Sequence, residues 1–565
     1  MAKKVFYDDD ARRRVLEGSR ILYNAVKTTM GPKGRNVVIS KSYGSPTVTH
    51  DGVTVAKGVD IADVDDETLG YKVGAELIKQ AANKMNDTAG DGTTTVTVLT
   101  YHILNEANKL IAAGHNPMLL RKGLEAASKE VIAKLGTMSE DIKANKKRVA
   151  EVATISAGDL VIGELIADVI DKVGKDGVVT VEEGQGLELE SEVVEGFTMG
   201  KGFVSPYMVT DTTRMEAIID KPSILITDKK ISSVQEILPI LEKLAQTGKK
   251  DIVIIADDLD GEALGTLVLN KLKGVLNIVA IKAPAFGDRR KDVLQDIAIL
   301  TGGAVISEEQ GYTFETADIS MLGSARKVIV TKDESTIIEG AGSKKEVEKR
   351  VKQINEQAKL ASSKYEKENL EQRRAALSGK VAVIKVGGAS ETEIEEKKFR
   401  VDDAVAAVKA ALDEGIVPGG GVTLLNLAKS LFDAKDIKSK GATAESAAFN
   451  VINTDPGKSI LFNSLCEPFK QLMLNSGRDP GILVDKVLNS KVSGLGYDVN
   501  APFGDPVDVK SKGIVDPTRV TREAIQNAVS IAGTAMTMGA LVVEVPEKTP
   551  PMPDMSGMGG GMMGM

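Results

Sequence analysis

The stretch Gly90-Asp91-Gly92-Thr93-Thr94-Thr95 places a carboxylate between two glycines and directly before three hydroxyl side chains. Beyond it, apolar residues recur at steps of three and four as far as Leu110, which predicts an amphipathic helix whose first turn holds the threonines. The unpaired N–H groups and positive dipole at such a helix start favour an anion. Gly92 would let a phosphate approach the backbone, and Asp91 is an oxygen ligand suited to Mg²⁺. An ordinary helix cap is the alternative, although three consecutive threonines start a helix poorly.

A second glycine-rich segment, Thr28-Thr29-Met30-Gly31-Pro32-Lys33-Gly34-Arg35-Asn36, follows a predicted amphipathic helix and contains two cations. The Gly-x-x-x-x-Gly-Lys-Ser/Thr pattern does not accompany it, so a phosphate site here would have another architecture. Two more motifs, Asp51-Gly52-Val53-Thr54 and Gly419-Gly420-Gly421, complete the set. In this order the four segments closely resemble the group I chaperonins of the GroEL type, and the resemblance runs from about the tenth residue to the tail.

Composition is compatible with that resemblance and excludes several other classes. The chain has 565 residues with 42% hydrophobic content, enough for more than one core, and its net charge of -8 argues against a nucleic-acid footprint. Cys466 is the only cysteine, which excludes an intrachain disulfide and a cysteine zinc site. With no signal-peptide pattern and no run approaching about 18 apolar residues, a cytoplasmic protein without a membrane role is expected.

The pattern along the chain predicts an α+β/α multidomain fold in which a mostly helical domain is split by an inserted α/β domain. Residues 10–135 and those from Val401 to about 541 read as helical, with strand-like pieces at 36–40 and 47–49 and a break at 114–117. Three short apolar runs predict buried strands of an α/β layer: Ile224–Ile226, Ile252–Ile255 and Ile278–Ile281. Between residues 345 and 377, Val347, Val351, Ile354, Ala358, Ala361 and Tyr365 predict one long charged helix with an apolar seam.

The resemblance implies three domains and names them. The equatorial ATP-binding domain would comprise 1–138 and 414–546, the intermediate hinge domain 139–195 and 380–413, and the apical domain 196–379. Gly196, Gly379 and Gly415 would be hinge positions, because glycine tolerates large changes of φ and ψ. Lys380 stands where the family often has a second glycine. The Gly/Met-rich segment 547–565 would be a disordered tail.

The resemblance also implies an ATPase site. Asp403 would orient or deprotonate the attacking water, Asp51 would help to place it, and Asp91 would hold Mg²⁺, with K⁺ as a second expected ion. The remaining implied nucleotide contacts are Thr29, Met30, Gly31, Pro32, His50, Gly92, Thr93, Thr94, Thr95, Gly420, Asp498, Val499, Asn500 and Asp516. His50 replaces a lysine usual in the family, which predicts ATP affinity or turnover that depends on pH. Asp498 replaces an asparagine that faces adenine. Without the resemblance, Asp402-Asp403 would read as an exposed helix start.

In the apical domain, the resemblance implies an apolar face that binds non-native polypeptides and a GroES-type cochaperonin. Its residues would be Phe203, Tyr207, Met208, Leu238, Leu241, Leu264, Val268 and Leu269. On the sequence alone, leucines at this spacing are more typical of a core, so exposure comes from the resemblance. Met208 replaces an aromatic residue, and a flexible thioether would suit promiscuous contacts.

The function that the resemblance implies is ATP-driven encapsulation and folding of non-native proteins in a homo-oligomer of two seven-membered rings. A passive holdase would use the same apical face without productive ATP turnover, and a specialised copy would retain every motif while serving few clients. A small-molecule phosphotransferase is a further alternative, but it leaves the large apical insertion and the Met/Gly tail without a role.

Overall fold

The computed structural model describes residues 2–40, 46–63, 65–142, 145–174, 177–184, 186–212, 214–361, 363–431, 455–490, 492–502 and 504–545. The chain divides into two compact units: unit 1 comprises Met1–Ala167 and Ser390–Met565, and unit 2 comprises Asp168–Ala389. The finer division into equatorial, intermediate and apical domains stays a prediction. The predicted tail, 547–565, lies outside the described residues.

Helices make up most of unit 1 and flank the sheet strands of unit 2 in the sequence. The α-helices of the described residues are α1 (Asp8–Val26), α2 (Gly52–Gly58), α3 (Tyr71–Ala89), α4 (Thr93–Ala112), α5 (Pro117–Met138), α6 (Lys146–Ala157), α7 (Leu160–Val173), α8 (Val234–Gln246), α9 (Gly261–Leu272), α10 (Asp288–Thr301), α11 (Lys344–Leu360), α12 (Lys364–Leu377), α13 (Glu391–Glu414), α14 (Val422–Ser430), α15 (Pro456–Asn475), α16 (Pro480–Asn489) and α17 (Thr518–Ala535). Among these described helices, none combines the length and the apolar character needed to cross a membrane.

The strands are concentrated in unit 2. Those of the described residues are β1 (Lys3–Tyr7), β2 (Val37–Ile39), β3 (Thr47–Thr49), β4 (Val178–Glu183), β5 (Glu190–Met199), β6 (Ala217–Asp220), β7 (Ser223–Thr227), β8 (Lys230–Ile231), β9 (Asp251–Ala256), β10 (Asp258–Leu259), β11 (Asn277–Lys282), β12 (Val305–Ile306), β13 (Gly323–Val330), β14 (Ser335–Gly340), β15 (Lys380–Val386), β16 (Ile416–Pro418), β17 (Leu495–Gly496), β18 (Val507–Asp508), β19 (Val515–Pro517) and β20 (Ala540–Glu544).

Unit 1 is built around α4, which packs against α1, α3, α15 and α17. Its inward face is buried, with Leu99 and Ile103 each 1% exposed, so the apolar spacing read from the sequence is the core stripe of this helix. The predicted break after α4 is confirmed. Asn116 caps α5 by accepting hydrogen bonds from the N–H groups of Met118 (2.9 Å) and Leu119 (3.3 Å), and Pro117 occupies the first helical position.

Small antiparallel strand pairs complete unit 1. The predicted strand pieces form the hairpin of β2 and β3. The pairing of β1 with β20, which joins Val5 to Val542 in register, was not predicted. Strand β16 pairs with β19 and so places Val417 opposite Asp516, immediately before the Gly419-Gly420-Gly421 turn.

Unit 2 contains a ten-stranded mixed sheet in the order β11-β9-β7-β13-β14-β5-β15-β4, with β12 beside β7 and β6 beside β13. The three predicted apolar runs are the parallel strands β7, β9 and β11. Their apolar residues are almost fully buried, as expected for parallel strands covered on both faces. These strands and the overall fold class are confirmed.

The predicted long helix over 345–377 is wrong, because two helices, α11 and α12, pack against each other there. The backbone turns to an extended conformation at Ala361, and the Ser363 side chain caps α12 by accepting a hydrogen bond from the Glu366 N–H (3.0 Å). Ile354 is buried as predicted, but Tyr365 is 61% exposed, with the Arg289 guanidinium over its ring. The apolar seam therefore ends at Ala361.

The three predicted hinge glycines lie in tightly constrained places, and their role as hinges stays a prediction. The Gly196 N–H donates to the Gly379 carbonyl (3.2 Å), and a Cβ at Gly196 would clash with Val381. Gly415 ends α13 with φ at 81°, a conformation that favours glycine, and a Cβ there would meet the Glu140 carbonyl.

Candidate functional site

The motif from Gly90 to Thr95 forms the corner between α3 and α4. Gly90 ends α3 with φ at 69° and Gly92 precedes α4 with φ at 82°, both in the left-handed region that glycine adopts without strain. Thr93, Thr94 and Thr95 form the first turn of α4, as predicted. A Cβ at Gly90 would clash with the Ala406 side chain on α13, so this corner is pressed against the helix that carries Asp403.

Two other motifs converge on the same corner. The Thr29 hydroxyl lies 3.2 Å from the Thr94 hydroxyl, and a Cβ at Gly52 would lie 2.5 Å from the same Thr94 oxygen. Thr29 closes a 3-10 turn that leads into Gly31, whose φ is 77°. Segments that lie far apart in the sequence thus meet at one place, the start of α4.

Three carboxylates surround this place. Asp51 caps α2, accepting hydrogen bonds from the N–H groups of Val53 (3.1 Å) and Thr54 (2.7 Å) and from the Thr54 hydroxyl (2.6 Å). Asp91 accepts hydrogen bonds from the Gly92 N–H and from the Ser156 hydroxyl, the latter at 3.2 Å. Both oxygens of Asp51 are therefore occupied within its own turn, which fixes the orientation of that side chain.

The charges of neighbouring carboxylates act on both Asp403 and Asp91. Burial raises the pKa of Asp403 well above its ordinary value, and the charges of Asp51, Asp91 and Asp402 raise this pKa further. Burial also raises the pKa of Asp91, with a smaller contribution from the charge of Asp51, while hydrogen bonds from Gly92 and Ser156 oppose the rise. Asp91 and Asp403 each keep part of their surface accessible.

His50 lies between α13 and residues 28–36, which are named the phosphate-loop segment after their predicted role. Its ring donates a hydrogen bond to the Gly31 backbone, and its Cε1 atom faces Gly34. Burial lowers the pKa of His50, and the charge of Glu396 on α13 opposes that shift. A lowered pKa moves the titration of His50 to more acid pH, so the predicted pH dependence should appear mainly on the acid side of neutrality.

Two further residues implied as nucleotide contacts, Gly420 and Asp516, lie on neighbouring segments. Gly420 has φ at 64°, and a Cβ at Gly419 would lie 2.9 Å from an Asp516 carboxylate oxygen. Burial and the nearby charge of Asp91 raise the pKa of Asp516 to about 7. Asp516 is thus electrostatically coupled to the three-carboxylate cluster.

The Asp498-Val499-Asn500 turn is held by its own carboxylate and by Arg478. The Asp498 Oδ1 atom accepts hydrogen bonds from the Asn500 (2.9 Å) and Ala501 (3.3 Å) N–H groups. Arg478 donates to the carbonyls of Asp498 (3.2 Å), Val499 (3.5 Å) and Ala501 (2.8 Å). One oxygen of Asp498 is therefore used within the turn, which leaves Oδ2 for any contact with a base.

Three residues next to the site were missed at the sequence level: Ser156, Asn475 and Arg478. Ser156 hydrogen-bonds to Asp91, Arg478 holds the turn at Asp498, and Asn475 donates to the carbonyls of Lys27 and Met30. Each comes from a helix or helix end without a recognisable motif, and each acts through a contact more than 60 residues away in sequence or through backbone carbonyls. No local pattern would have found them.

The donor set fits a magnesium–phosphate complex better than a metal held by protein alone. Among the described residues, no group of three or more His, Cys, Asp or Glu side chains is arranged to hold a metal ion. Mg²⁺ commonly uses one or two carboxylates together with substrate phosphates. Asp91 beside the hydroxyls and N–H groups at the start of α4 would be the protein part of such a complex.

The predicted apolar face of unit 2 is only partly exposed. Tyr207, Leu238 and Leu269 are 69%, 41% and 51% exposed, and they lie on neighbouring elements because α9 packs against both α8 and the turn Pro206–Met208. Phe203, Leu264 and Val268 are half-buried. Leu272 and Val275, at the end of α9, are also exposed and were not predicted.

Two predicted members of this face lie in the core. Met208 is 0% exposed, and its sulfur accepts a hydrogen bond from the Ala280 N–H (3.2 Å) on β11. Leu241 is 7% exposed because it lies on the inward face of α8 with Ile237 and Leu244. The interpretation of Met208 as a flexible surface contact is therefore wrong for this structure.

A solved structure has a fold similar to the one described above. A crystal structure of the chaperonin gp146 from the bacteriophage EL 2 (Pseudomonas aeruginosa), determined in the presence of ATP-BeFx, is similar to this chain with a TM-score of 0.64 and 22% sequence identity. The similarity covers 96% of this chain and 99% of the phage protein. The chain thus has the chaperonin fold, the class that its motifs predicted.

The sequence comparison gives the family. The TCP-1/cpn60 chaperonin family matches residues 22–546, nearly the whole chain. This protein belongs to the TCP-1/cpn60 chaperonin family, and the prediction of a chaperonin of the GroEL type is confirmed.

Proposed function

We propose that this chaperonin binds non-native proteins on the apolar face of unit 2 and uses ATP hydrolysis in unit 1 to enclose and release them with a GroES-type cochaperonin. The observation that carries the proposal is the cluster of Asp51, Asp91 and Asp403 beside the start of α4. Burial and the charge of Asp51 raise the pKa of both Asp91 and Asp403. Burying carboxylates close to other carboxylates is costly to a fold, and such clusters are typical of functional sites. A cation with a polyphosphate would offset that cost.

The three carboxylates would have different roles. Asp51 caps α2 and is held in one orientation, so it would help to place the attacking water. Asp403 would orient the attacking water or accept a proton from it, because burial and the neighbouring carboxylates raise its pKa and so make its carboxylate a stronger base. Asp91 would bind Mg²⁺, which when present neutralises phosphate charge. Thr29, Thr94 and the N–H groups at the start of α4 would hold the phosphates.

The similarity to a chaperonin crystallised with ATP-BeFx supports nucleotide use in this chain. We expect Mg²⁺ and K⁺ as ions and a 14-mer of two heptameric rings as the assembly. On unit 2, Tyr207, Leu238, Leu269, Leu272 and Val275 provide the exposed apolar surface. Such a surface would bind unfolded chains through the hydrophobic effect with little sequence preference.

The test is recovery of a denatured client enzyme that does not refold spontaneously, with ATP, Mg²⁺ and a GroES-type partner. Asp403→Ala is compared with the wild type, and Asp413→Ala is the matched control, because Asp413 lies on the same helix but is largely exposed. We expect recovery with the wild type and with Asp413→Ala, and almost none with Asp403→Ala. ATP hydrolysis should follow the same order.

Two outcomes would favour the alternatives. Equal protection of the client by the wild type and Asp403→Ala, without recovery of activity, would mean a passive holdase and would overturn the ATP-driven cycle. Recovery of one client among several unrelated clients would indicate a specialised copy with a narrow client range.

A further inference from the structure

The last residue of α15 makes an unusual contact with the phosphate-loop segment. The Asn475 side-chain nitrogen donates to the Lys27 carbonyl (3.0 Å) and to the Met30 carbonyl (2.9 Å). The Asn475 side-chain oxygen accepts a hydrogen bond from the Gln471 amide (2.7 Å), one turn earlier on α15. The Asn475 NH₂ group therefore donates both of its hydrogen bonds to the loop.

The orientation of the Asn475 amide follows from its partners. Carbonyl oxygens only accept hydrogen bonds, so the NH₂ group must face Lys27 and Met30. The two hydrogens of the Asn475 NH₂ group are donated to the two carbonyls of Lys27 and Met30. The Gln471 NH₂ group then donates to the Asn475 side-chain oxygen. An aspartate at this position would have nearly the same shape, but its ionised carboxylate would lack both donors and would face two carbonyl oxygens.

This contact fixes the direction of a backbone donor. In a planar trans peptide, the N–H points opposite to the C=O of the preceding residue. Because the Met30 carbonyl is held by Asn475, the Gly31 N–H must point away from α15. Gly31 has φ at 77°, and a Cβ there would clash with Leu472 of α15. The helix thus supports the loop both by packing and by hydrogen bonds.

The chain just after this helix end also contacts a second segment. Arg478, three residues beyond Asn475, donates to the carbonyls of the turn that begins at Asp498. The C-terminal end of α15 therefore contacts two separate segments, 27–31 and 498–501, through side-chain donors to backbone carbonyls. Both segments are among those proposed to contact the nucleotide.

We propose that Asn475 is a positioning residue for this site: by holding the Lys27 and Met30 carbonyls, it aims the Gly31 N–H at the phosphates of the bound nucleotide. The inference rests on the nucleotide site of the proposed function. It adds a residue that touches neither the nucleotide nor the metal. Its effect should therefore depend on the phosphates and should leave recognition of the nucleoside unchanged.

The test compares Asn475→Asp with Asn489→Asp at pH 8 in the full-length protein. Asn489 lies on α16, is exposed and donates a single hydrogen bond to Asp485 (2.9 Å), so the control makes the same chemical change away from the loop. Binding of ATP and of adenosine is measured by calorimetry, the latter by competition where it is weak. We expect ATP affinity to fall roughly 10- to 100-fold in Asn475→Asp, because two hydrogen bonds are replaced by repulsion. Adenosine affinity should be unchanged, and Asn489→Asp should match the wild type.

A second measurement needs no nucleotide. Amide hydrogen exchange of the apo protein should be about tenfold faster at Met30, Gly34 and Arg35 in Asn475→Asp, because these amides close the loop. Exchange in the core of α4 should be unchanged, which excludes global unfolding.

The outcomes separate the two proposals. Unchanged loop exchange and equal ATP affinity would overturn the role of Asn475 and leave the proposed function standing. Equal losses of ATP and adenosine affinity would also overturn it, because they would indicate a general structural defect. If the wild type does not bind ATP, the proposed function is overturned. The proposal that the Gly31 N–H points at nucleotide phosphates is then overturned with it.

Discussion

The replacement Asp516→Asn should stabilise the folded protein, and the gain should grow as pH rises. Burial, together with the charge of Asp91, raises the pKa of Asp516 from its ordinary value of 3.8 to about 7. The folded state therefore binds a proton more tightly than the unfolded chain does. Stability of the wild type is consequently lost as pH increases from 3.8 toward neutrality, and the loss is complete above the folded-state pKa.

The size of the stability gain follows from the difference between the two pKa values of Asp516, 3.8 in the unfolded chain and about 7 in the folded protein. Each pKa unit corresponds to about 1.4 kcal/mol, so the ionised Asp516 costs about 4 kcal/mol at pH 8. At pH 5 only the lower part of the window has been crossed, and the cost is about 2 kcal/mol. Asparagine has no charge to bury, so Asp516→Asn should gain stability over the wild type by a margin that widens between these pH values.

Urea unfolding followed by far-UV circular dichroism at pH 5, 6, 7 and 8 measures the margin, since the chain has no tryptophan for fluorescence. Asp505→Asn is the matched control because Asp505 is an exposed carboxylate in the same part of the chain. A difference between Asp516→Asn and the wild type that is the same at every pH would refute the reasoning. A destabilised variant at pH 8 would refute it as well.

Two further predictions concern unit 2. Asp296 is 1% exposed and accepts hydrogen bonds from Arg350 and Arg373, both at 2.7 Å. Asp296→Asn should therefore lower the free energy of unfolding by about 3 kcal/mol and accelerate amide exchange in α10, α11 and α12. Unchanged exchange would contradict this prediction. Leu269→Ser should weaken capture of a denatured client without lowering the melting temperature, whereas the buried Met208→Ser should lower stability by about 3 kcal/mol. Equal melting temperatures for these two variants would show that Met208 is not a core residue.

Sequence patterns correctly predicted the helices and strands that are buried in the same way along their whole length. Strands β7, β9 and β11 are continuous apolar runs because both faces of a parallel strand are covered. The break between α11 and α12 was missed because the apolar spacing continues to Ala361 while a single capping serine, Ser363, starts a new helix. The pairing of β1 with β20 was missed because nothing local identifies a partner more than 530 residues away.

In the candidate site, too, some residues could be predicted from the sequence and others could not. The motifs around Asp51, Asp91 and Asp403 identified the carboxylates, and their closeness was implied by family resemblance rather than by spacing. Ser156 and Asn475 could not be predicted, because a single serine or asparagine on a helix has no sequence signature for its distant partner. The burial of Leu241 depends on which side of α8 faces the core, and the burial of Met208 depends on how the turn Pro206–Met208 packs against α9 and β11. Helical periodicity alone leaves that choice open.

The pairing of β1 with β20 has a consequence for biosynthesis. Unit 1 is discontinuous, and its first strand, Lys3–Tyr7, finds its partner only when Ala540–Glu544 has been made. Unit 2 is continuous from Asp168 to Ala389, so all of its strands leave the ribosome well before that point. During translation the inserted unit can therefore complete its sheet while the first strand still waits for its partner. A nascent chain can therefore pass through a stage in which unit 2 is folded while unit 1 still lacks its last strand.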